Sequence, residues 1–595
     1  MPDRDPRIAA EARWTIALDA AHPPPSKQEI GGKAHSIAQL VALGLPTPPA
    51  VVITTKACVA YLRDNALPEG LAAELAEAVA HLERVSGRRF AEGEQPLLLS
   101  VRSGAAISMP GMMDTVLNLG INDRTEAALA QETGNAAFAR DTHRRFHQMY
   151  AKTVLKAPEP DLPPDADPET WRSIIQDVSG QTVPEDPMQQ LHRTVEAVFK
   201  SWNNRRARRY RRHHGIDDAM GTAVTLQMMV FGNLGPQSGT GVLFSRDPLT
   251  GAPQPYGQYL ANAQGEDVVS GAVTPEPLSA LNQRLPQVHQ ALLDAGRQLE
   301  HRFREVQDIE STVQAGHLYL LQARTAKRSP RAAVAFAVAM AEDGLIDRSE
   351  ALRRVTPEQV RSLLRSHLAD GAADRADKLA EGEAACSGVG IGLAVRDPDE
   401  AERRAEAGEA VILVRPSTSP DEVHAMALAQ AVITERGGGT SHAAVVCRSL
   451  GVPCVVGCGA DALSDLHGKT LTADGKSGSV FLGALPVVEP KEQEDAALTT
   501  LISWARPLSP LRVVADPDAA GAPVTDLSSL PGSEDPDRLS ERLAGLRVVS
   551  GGAVATDAGV RAALAAGVKT IVAEPVLPVL LAAIHAAAEQ AKASD

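Results

Sequence analysis

The chain has 595 residues with 59 Lys or Arg and 74 Asp or Glu, which gives a formal net charge of −15. This length predicts about three to five domains, and 44% hydrophobic with 22% charged residues is typical of a globular protein and excludes bulk disorder. The acidic balance argues against nucleic acid as the main partner, because binding to a phosphate backbone requires a basic surface.

The cysteine content and the hydropathy of the chain indicate in which cellular compartment the protein resides. Five cysteines without a CxxC pair indicate reduced thiols rather than a disulfide framework. The N-terminal stretch MPDRDPRIAAEARW lacks the apolar segment of a signal peptide. The most apolar run near the C-terminus, residues 570–588, is interrupted by Glu574, Pro575 and Pro578, which predicts no membrane span. We therefore expect a cytoplasmic protein without a membrane partner, assembled as a homo-oligomer.

The first half of the chain alternates glycine-rich turns, helices and short apolar runs. Gly31 and Gly32 predict a turn before Lys33, followed by a helix that ends at Gly44. The run LLLSVR predicts a buried strand that ends at Arg102, and the SGAAISMPGMMDT segment after it predicts a shaped loop. Residues 124–215 predict a helical insertion with two proline-rich interruptions.

Two strand pairs are predicted in the region that follows. Residues 222–246 predict two strands around a glycine-rich hairpin, and residues 306–324 predict two strands joined by a turn at 314–317. Glycine lacks a β-carbon, so the hairpin residues Ser238, Gly239, Thr240 and Gly241 could bring backbone N–H groups close to a phosphate. Glu310 and Gln322 lie on adjacent predicted strands, and their alternation could direct both toward one face, where hard oxygen atoms would bind magnesium.

The second half divides into three predicted parts. Residues 331–385 are helical and highly charged, which indicates a connecting segment. Residues 386–488 alternate short strands with helices, as in a compact α/β domain, and residues 489–595 show weaker βα units after a Pro/Glu-rich joint. The fold class predicted for the whole chain is therefore α/β, in several domains.

The sharpest chemical feature is a histidine after a triple-glycine turn. The strand AVIT runs into residues 437–439, and the next helix is predicted to begin at Thr440 or Ser441, so His442 lies at its N-terminus. Free N–H groups and the helix dipole at this position favour a phosphate. An imidazole placed there could accept a phosphoryl group, whereas the simpler alternative is a capped helix whose histidine only fills the cap. The predicted phosphohistidine loop comprises Gly438, Gly439, Thr440 and Ser441.

The segment GGGTSHAAVVCRSLGVPCVVG resembles the phosphohistidine swivel domain that pyruvate phosphate dikinase, phosphoenolpyruvate synthase and enzyme I of the sugar phosphotransferase system share. Other segments distinguish among these three families. GGKAHSIAQLVALGLPTPP, SMPGMMDT, SGTGVLFSRDPLTG, NAQGEDVVSG and QDIESTVQAGHLYLLQARTAKR resemble the pyruvate phosphate dikinase family, in chain order across residues 1–488.

The resemblance implies an ATP-grasp nucleotide domain over residues 1–330, a helical linker over 331–385, a swivel domain over 386–488 and a truncated barrel-like segment over 489–595. ATP is the implied substrate and magnesium the implied cofactor. A site for this anion needs cations, backbone donors and oxygen ligands for the metal. The residues that carry over as nucleotide and metal ligands are Lys33, Arg102, Glu266, Asp308, Glu310, Gln322 and Arg324, with Glu310 and Gln322 on magnesium.

The implied reaction is phosphorylation of His442 by ATP and orthophosphate, which releases AMP and pyrophosphate. The linker and the joint at 489–495 would act as hinges for the swivel. Two departures from the family stand out: Gly439 replaces its usual methionine, and only 595 − 488 = 107 residues follow the swivel domain, against about 200–250 for a substrate-binding barrel. We therefore expect the phosphoryl group to pass to pyruvate on a separate chain or to an unknown acceptor.

Three alternatives remain open from the sequence. One is a phosphotransferase of the rifampin phosphotransferase type, which shares both modules, although no sizeable acceptor domain lies between them here. A second is a non-catalytic regulatory relic that does not bind ATP. The third is a nucleic-acid-binding module built on residues 203–215, NNRRARRYRRHHG; a solvated basic helix face, or steering of phosphate toward the ATP site, is the preferred interpretation of that segment.

Overall fold

The fold is taken from a computed structural model. It describes residues 13–594 apart from 108, 110–112, 114, 266–273, 365–366, 370, 451, 460–461, 464, 489 and 528–535. The predicted α/β multidomain class is confirmed, since helices alternate with several separate sheets. Among the described residues, no helix combines the length and the apolar character needed to cross a membrane.

The first sheet is antiparallel and has the strand order β1-β2-β7-β5-β6. The predicted helix that ends near Gly44 and the predicted strand LLLSVR are both present. Its strands, the short parallel pair β3–β4 and the helices beside them are β1 (Thr15–Leu18), α1 (Lys27–Ala42), β2 (Ala50–Ile53), α2 (Thr55–Asp64), α3 (Leu71–Ser86), β3 (Arg89–Phe90), β4 (Pro96–Leu97), β5 (Leu99–Gly104), β6 (Thr115–Leu119) and β7 (Ala223–Met228).

Five helices lie between β6 and β7 among the described residues, in the segment where the helical insertion is predicted. Its helices start at side-chain caps, which accept backbone N–H groups that the first turn of a helix leaves free. Asn122, Asn135, Asp167, Asp186 and Asn204 are these caps. The helices are α4 (Asp123–Thr133), α5 (Ala136–Thr153), α6 (Pro168–Ser179), α7 (Pro187–Ser201) and α8 (Arg205–His213).

The second sheet is also antiparallel and has the order β10-β9-β8-β11-β12. The predicted hairpin over residues 222–246 was wrong, because its first strand belongs to the first sheet and its second to this one. The predicted pair over 306–324 is present, with its turn at Ala315 and Gly316. The elements are β8 (Gly239–Phe244), β9 (Tyr256–Ala261), β10 (Glu276–Pro277), α9 (Ser279–Arg284), α10 (Pro286–Phe303), β11 (Gln307–Gln314) and β12 (His317–Thr325).

The swivel domain is built on an eight-stranded sheet of order β14-β21-β20-β16-β17-β18-β19-β15. The predicted domain starts at residue 386, whereas the first strand of this sheet begins at Lys378 and its other edge strand at Glu383. The elements are β14 (Lys378–Glu381), β15 (Glu383–Cys386), β16 (Val389–Val395), α14 (Pro398–Glu406), β17 (Val411–Arg415), α15 (Val423–Leu428), β18 (Ala431–Thr434), α16 (His442–Leu450), β19 (Cys454–Val456), β20 (Thr470–Asp474) and β21 (Ser479–Leu482).

The linker helices and the C-terminal segment share one hydrophobic core, so they form a common unit rather than two separate joints. The C-terminal strands form a parallel sheet of order β23-β26-β25-β24. The elements are α11 (Pro330–Glu342), α12 (Arg348–Arg354), α13 (Pro357–Leu363), β13 (His367–Leu368), which pairs with β22 (Val487–Val488), α17 (Ala496–Ala505), β23 (Arg512–Val514), β24 (Thr525–Asp526), α18 (Pro536–Leu543), β25 (Val548–Ser550), α19 (Asp557–Ala565), β26 (Thr570–Val572) and α20 (Val576–Ser594).

Candidate active site

Two rows of side chains cross one face of the second sheet. Residues directly opposite each other on antiparallel strands project to the same face, and so do residues two apart on one strand. The strand pairing therefore aligns one row from β9 to β12 and a second row beside it. The first row is Tyr256, Phe244, Asp308 and Arg324, and the second is Gln258, Val242, Glu310 and Gln322.

The β11–β12 end of these rows is strongly charged. Arg324 Nε donates to Asp308 Oδ2 at 2.7 Å, and its Nη2 lies 3.8 Å from Glu310 Oε1. Arg102, on β5 of the first sheet, donates to Glu310 Oε2 at 3.4 Å. Burial raises the pKa of Asp308, and Arg324 opposes that shift only in part. Burial would also raise the pKa of Glu310, but Arg324, Arg102 and Lys33 outweigh it and hold that pKa below its usual value.

Lys33 reaches this cluster because α1 is broken two residues before it. Gly31 has φ 74° and ψ 162°, which interrupts the helix, and Gly32 N donates to Ala105 O at 2.9 Å. The break confirms the Gly-Gly turn. The hydrogen bond from Gly32 to Ala105 holds Lys33 beside the end of β5. Burial and the neighbouring Arg102 lower the pKa of Lys33 to about 7.

Gly31→Ala is expected to destabilise the protein by about 2–4 kcal/mol. Alanine is strained at the positive φ of residue 31, and its β-carbon would push the backbone away from Gly104. A β-carbon at residue 31 would lie well inside van der Waals contact of Gly104 O. Gly32→Ala is the matched control, since its β-carbon would lie 3.5 Å from Ala105 O, an ordinary contact. Urea unfolding of both variants measures the difference, and equal stabilities would contradict it.

His442 begins α16, one or two residues after the predicted start of that helix. Its Nδ1 lies 3.2 Å from Thr418 Oγ1, while its buried Nε2 has no hydrogen-bond partner among the described residues. Burial and then the charge of Lys327 lower the pKa of His442 to about 4. The imidazole is therefore neutral at pH 7, and the Thr418 contact leaves the Nε2 lone pair available as a nucleophile when Nδ1 carries the proton.

The glycine loop before His442 contacts the β9 end of the two rows. Thr440 Oγ1 donates to Gln258 Oε1 at 2.5 Å. Gln258 Nε2 also donates to Glu383 Oε2 at 3.2 Å, and Tyr256 Oη donates to Glu383 Oε1. The swivel domain therefore rests on the same sheet face that carries the charged cluster.

The departure at Gly439 fits this contact. A β-carbon at residue 439 would clash with Tyr256 Oη and lie 2.5 Å from Glu383 Oε1. A β-carbon at residue 438 would lie 2.6 Å from Gln258 Nε2. A side chain at either position would therefore require the Tyr256, Gln258 or Glu383 side chains to shift.

The predicted phosphate-binding residues 238–241 are placed differently. Gly239, Thr240 and Gly241 lie in β8, which pairs with β9 on one side and β11 on the other. Their peptide groups therefore belong to the sheet ladders, which removes the free backbone donors that the predicted hairpin offered. Ser238 Oγ accepts from Ala315 N at 2.9 Å. Glu266 lies outside the described residues.

The arginine-rich helix α8 faces the swivel domain. Arg206 Nη1 lies 3.5 Å from Asp421 Oδ2, and Arg209 Nη2 lies 3.5 Å from Glu402 Oε1. Arg211 is fully buried, pairs with Asp218 Oδ1 at 2.6 Å and packs 4.2 Å from the Trp202 ring. Arg211 therefore has a structural role, whereas Arg205, Arg206, Arg208, Arg209 and Arg212 are exposed, and two of these, Arg206 and Arg209, face acidic residues of the swivel domain.

Charge reversal at Arg206 and Arg209 is expected to shift the swivel domain away from the sheet. Each exposed pair contributes about 0–1 kcal/mol, so the double Glu variant should lower the ratio of docked to undocked molecules about 5- to 30-fold. Single-molecule energy transfer between one label on each domain measures this ratio. Adding Glu402→Arg and Asp421→Arg should restore it, and an unchanged ratio in the first variant would contradict the assignment.

Several residues at this interface were missed by the sequence analysis. Three of them lie outside the quoted motifs: Thr418, Tyr256 and Glu383. The other two, Lys327 and Arg448, lie inside quoted motifs but were not singled out. Lys327 and Arg448 lie within the quoted segments QARTAKR and HAAVVCRSL, so their position next to Arg324 and His442 was the available signal. Nothing local pointed to Thr418, Tyr256 or Glu383.

One cluster with metal-ligand geometry occurs among the described residues, and it was not predicted. Ligand atoms of Glu402, Glu406 and His424 lie within 4.8 Å of one another. Glu402 already contacts His424 Nε2 at 3.0 Å and Arg209 Nη2 at 3.5 Å, and these contacts occupy the carboxylate that a metal would need. The predicted magnesium ligands Glu310 and Gln322 lie elsewhere, directly opposite each other on β11 and β12.

Comparisons with known proteins match both halves of this site. Residues 65–292 match the family model of the pyruvate phosphate dikinase AMP/ATP-binding domain, and residues 407–478 match that of the mobile domain of PEP-utilising enzymes. The chain is 40% identical to pyruvate, phosphate dikinase of Rhizobium meliloti (strain 1021), over 83% of this chain and 60% of the relative. It is also 40% identical to chloroplastic pyruvate, phosphate dikinase 1 of Arabidopsis thaliana, over 83% of this chain and 54% of the relative. The chain thus spans a little more than half the length of these curated relatives.

Proposed function

Because the chain belongs to the pyruvate phosphate dikinase family, we propose that it phosphorylates His442 with ATP and orthophosphate and releases AMP and pyrophosphate. One observation carries the proposal. The neutral imidazole of His442 has a buried Nε2 without a partner among the described residues, and its loop rests on the sheet face that carries Asp308, Glu310 and Arg324.

The proposed chemistry proceeds in two transfers. The Nε2 lone pair of His442 forms a bond to the β-phosphorus, and the bond from that phosphorus to the α-phosphate oxygen breaks, so AMP leaves with the electron pair. An orthophosphate oxygen then attacks the γ-phosphorus, and the bridging oxygen remains on the β-phosphoryl group. Pyrophosphate and phosphohistidine result. No proton has to leave Nε2 in the tautomer whose proton is on Nδ1, because the imidazole is neutral at pH 7.

Three cations around the charged end of the rows are proposed to bind the phosphates. Lys33, Arg102 and Arg324 come from three separate elements and meet at Glu310. Their joint position is suited to charge that spreads over several phosphoryl oxygens during transfer. This arrangement also argues against the regulatory-relic alternative, because five buried or half-buried charges are costly to retain without a ligand.

The oxygen donors beside these cations fit a magnesium ion. Glu310 and Gln322 face each other across β11 and β12, and the adjacent Asp308 has a buried Oδ1 without a partner among the described residues. Carboxylate and amide oxygens are the ligands that magnesium prefers. When bound, the metal would neutralise phosphate charge; Glu310 and Gln322 would hold it, and Asp308 Oδ1 offers a further oxygen.

Labelled ATP tests the proposal. With magnesium and orthophosphate, ATP labelled at the β-position should leave an acid-labile label on the peptide that contains His442, and ATP labelled at the γ-position should not. Omitting orthophosphate should retain the γ-label, because the second transfer cannot occur. Conversion of ATP to AMP without a label on this peptide would contradict the proposal.

The affinity for ATP is expected to fall as the pH rises above 7. The pKa of Lys33 is lowered to about 7, so the residue is half protonated near pH 7, and a bound phosphate would raise its pKa and draw in a proton. Affinity should then fall about tenfold per pH unit between pH 8 and 9. Calorimetry in buffers of different ionisation enthalpy measures the proton uptake, which Lys33→Arg should abolish; a pH-independent affinity in the parent protein would contradict this.

Onward transfer is proposed to reach pyruvate on a separate chain, or another acceptor, within the cytoplasm. The support is that the described C-terminal strands form a four-stranded parallel sheet rather than an eight-stranded barrel. The five cysteines are free thiols, as expected in a reducing compartment. Formation of phosphoenolpyruvate from pyruvate by the purified chain alone would refute the separate-chain proposal.

A further inference from the structure

Arg448 is a buried cation for which the described part of the chain supplies no anionic partner. It lies on the helix that begins with His442, and only 3% of its surface is exposed. Its Nη1 donates to Ala385 O at 3.2 Å, while Nε and Nη2 are buried and have no hydrogen-bond partner among the described residues. A guanidinium group is rarely buried without a carboxylate or phosphate, because its charge and its donors both lose water.

The free side of Arg448 faces the nucleotide domain. Its guanidinium carbon lies 5.8 Å from the centre of the Phe244 ring. Phe244 stands in the first row directly beside Asp308, whose Oδ1 is also buried and without a partner among the described residues. Unsatisfied donors from the swivel domain and an unsatisfied acceptor from the sheet therefore occur at the same interface.

Lys327 adds a second cation there. It follows Arg324 by three residues, just after β12, and its side chain is half-buried. Burial lowers its pKa, followed by the charge of Arg324, while Asp308 acts in the opposite direction. After burial, the charge of Lys327 is the second cause of the lowered pKa of His442, so the ammonium group lies within electrostatic reach of the imidazole as well as of Arg324 and Asp308.

The charges at this interface do not balance. Arg324 is paired with Asp308, and Arg102 with Glu310, which leaves Lys33, Lys327 and Arg448 without a carboxylate in a hydrogen-bonded pair among the described residues. Glu383, on β15 of the swivel domain, accepts hydrogen bonds from Tyr256 and Gln258. An anion with several oxygens would satisfy the free donors of Arg448 and the ammonium group of Lys327 together.

We propose that Lys327 and Arg448 form a phosphate-binding seat between the second sheet and His442, completed only when the swivel domain rests on the sheet. The inference rests on the proposed function for the source of the phosphate, which is either free orthophosphate or a phosphoryl group of the nucleotide. The seat explains why Arg448, on the swivel domain, is buried while its Nε and Nη2 have no hydrogen-bond partner among the described residues. It also implies that a bound anion stabilises the contact between the swivel domain and the second sheet.

Three variants test the seat. Lys327→Met and Arg448→Met remove one cation each with little change in length, and Arg404→Met is the matched control because Arg404 pairs with Glu400 on the surface. In the first measurement, thermal unfolding is followed without ligand and then with inorganic phosphate, against chloride at equal ionic strength. Phosphate should stabilise the parent protein and Arg404→Met, and its effect should be lost in the other two variants.

The ligand-free proteins separate a binding role from a structural one. Removing an unpaired buried charge should leave Arg448→Met at least as stable as the parent protein. A lower melting temperature of ligand-free Arg448→Met would show that the arginine supports the fold, and would overturn the proposal. This arm needs neither ATP nor a phosphohistidine, so it stands or falls separately from the proposed function.

The second measurement identifies the source. If the seat takes free orthophosphate, its apparent KM for labelling of His442 should rise at least tenfold in Lys327→Met and Arg448→Met, with the Kd for Mg·ATP within threefold of the parent value. If the seat takes a nucleotide phosphoryl group, the Kd for Mg·ATP should rise at least tenfold instead. Unchanged values of both constants would overturn the proposal.

Discussion

His442→Asn is expected to take up no acid-labile label from ATP, a loss of more than about 1,000-fold, because the atom that forms the N–P bond is gone. Asparagine retains a polar atom near the position of Nδ1, so the contact with Thr418 can persist. The affinity for Mg·ATP should remain within about threefold, since His442 lies on the swivel domain and the charged rows do not. Labelling, thermal unfolding and calorimetry of the same preparation provide the three measurements.

The pH dependence adds a second check on His442. Its pKa is lowered to about 4, so about 90% of the imidazole is unprotonated at pH 5, against about 3% for an ordinary histidine. At saturating ATP, the single-turnover labelling rate should therefore change less than about twofold between pH 5 and 8. A rate that falls about 30-fold over that interval would show an ordinary histidine. A label that persists in His442→Asn would identify another acceptor.

The same shift affects stability in a defined direction. In the unfolded chain His442 takes up its proton near pH 6.5, whereas in the folded protein it does so only near pH 4. The unfolded state therefore gains protons first as the pH falls, and the folded state loses stability between about pH 6.5 and 4. His442→Asn should lose less stability than the parent protein across that window.

The parts of the site that the sequence predicted depend on local pattern. Asp308, Glu310, Gln322 and Arg324 lie on two strands joined by a tight turn, and a tight turn fixes which residues stand opposite each other. His442 was located by a strand, a glycine turn and a helix start, all within a dozen residues. Their roles as nucleotide, metal and phosphoryl ligands remain predictions.

The contacts between the domains could not be predicted in this way. Thr440 meets Gln258 across 182 positions of sequence, and Tyr256 meets Glu383 across 127. No periodicity or capping rule relates residues so far apart, since their approach depends on how two folded domains dock. The role of Gly439 becomes visible only when Tyr256 and Glu383 are placed beside it.

Two differences between the predicted and the observed elements have a physical explanation. Glycines in the 238–241 segment indicated a turn, but glycine is also used where a neighbour leaves no room for a β-carbon, and the Tyr259 ring lies where a β-carbon of Gly239 would be. The edge strands β14 and β15 were assigned to the helical linker because KLAE and EAAC are rich in helix-favouring Lys, Ala and Glu. Edge strands tolerate such charged residues because one side of the strand is not paired.

Arg324→Met is expected to reduce the labelling of His442 by about 100- to 1,000-fold, the usual loss when a group that stabilises transition-state charge is removed. It should also lower the free energy of unfolding by about 3–5 kcal/mol. The second effect arises because Asp308, only 2% exposed, would lose the cation that now lies 2.7 Å from its Oδ2. Urea unfolding and labelling with β-labelled ATP measure the two losses.

Adding Asp308→Asn to Arg324→Met separates these effects. Asparagine has nearly the same shape as aspartate but no charge, so the double variant has no uncompensated buried carboxylate, and most of the lost stability should return. Labelling should not return, because the cation that meets the phosphates is still missing. Recovery of both stability and labelling would contradict this, since it would mean that Arg324 serves only to neutralise Asp308. Arg324→Lys should lie between the parent and Arg324→Met, because lysine restores the charge without the planar pair of donors that faces Asp308 and Glu310.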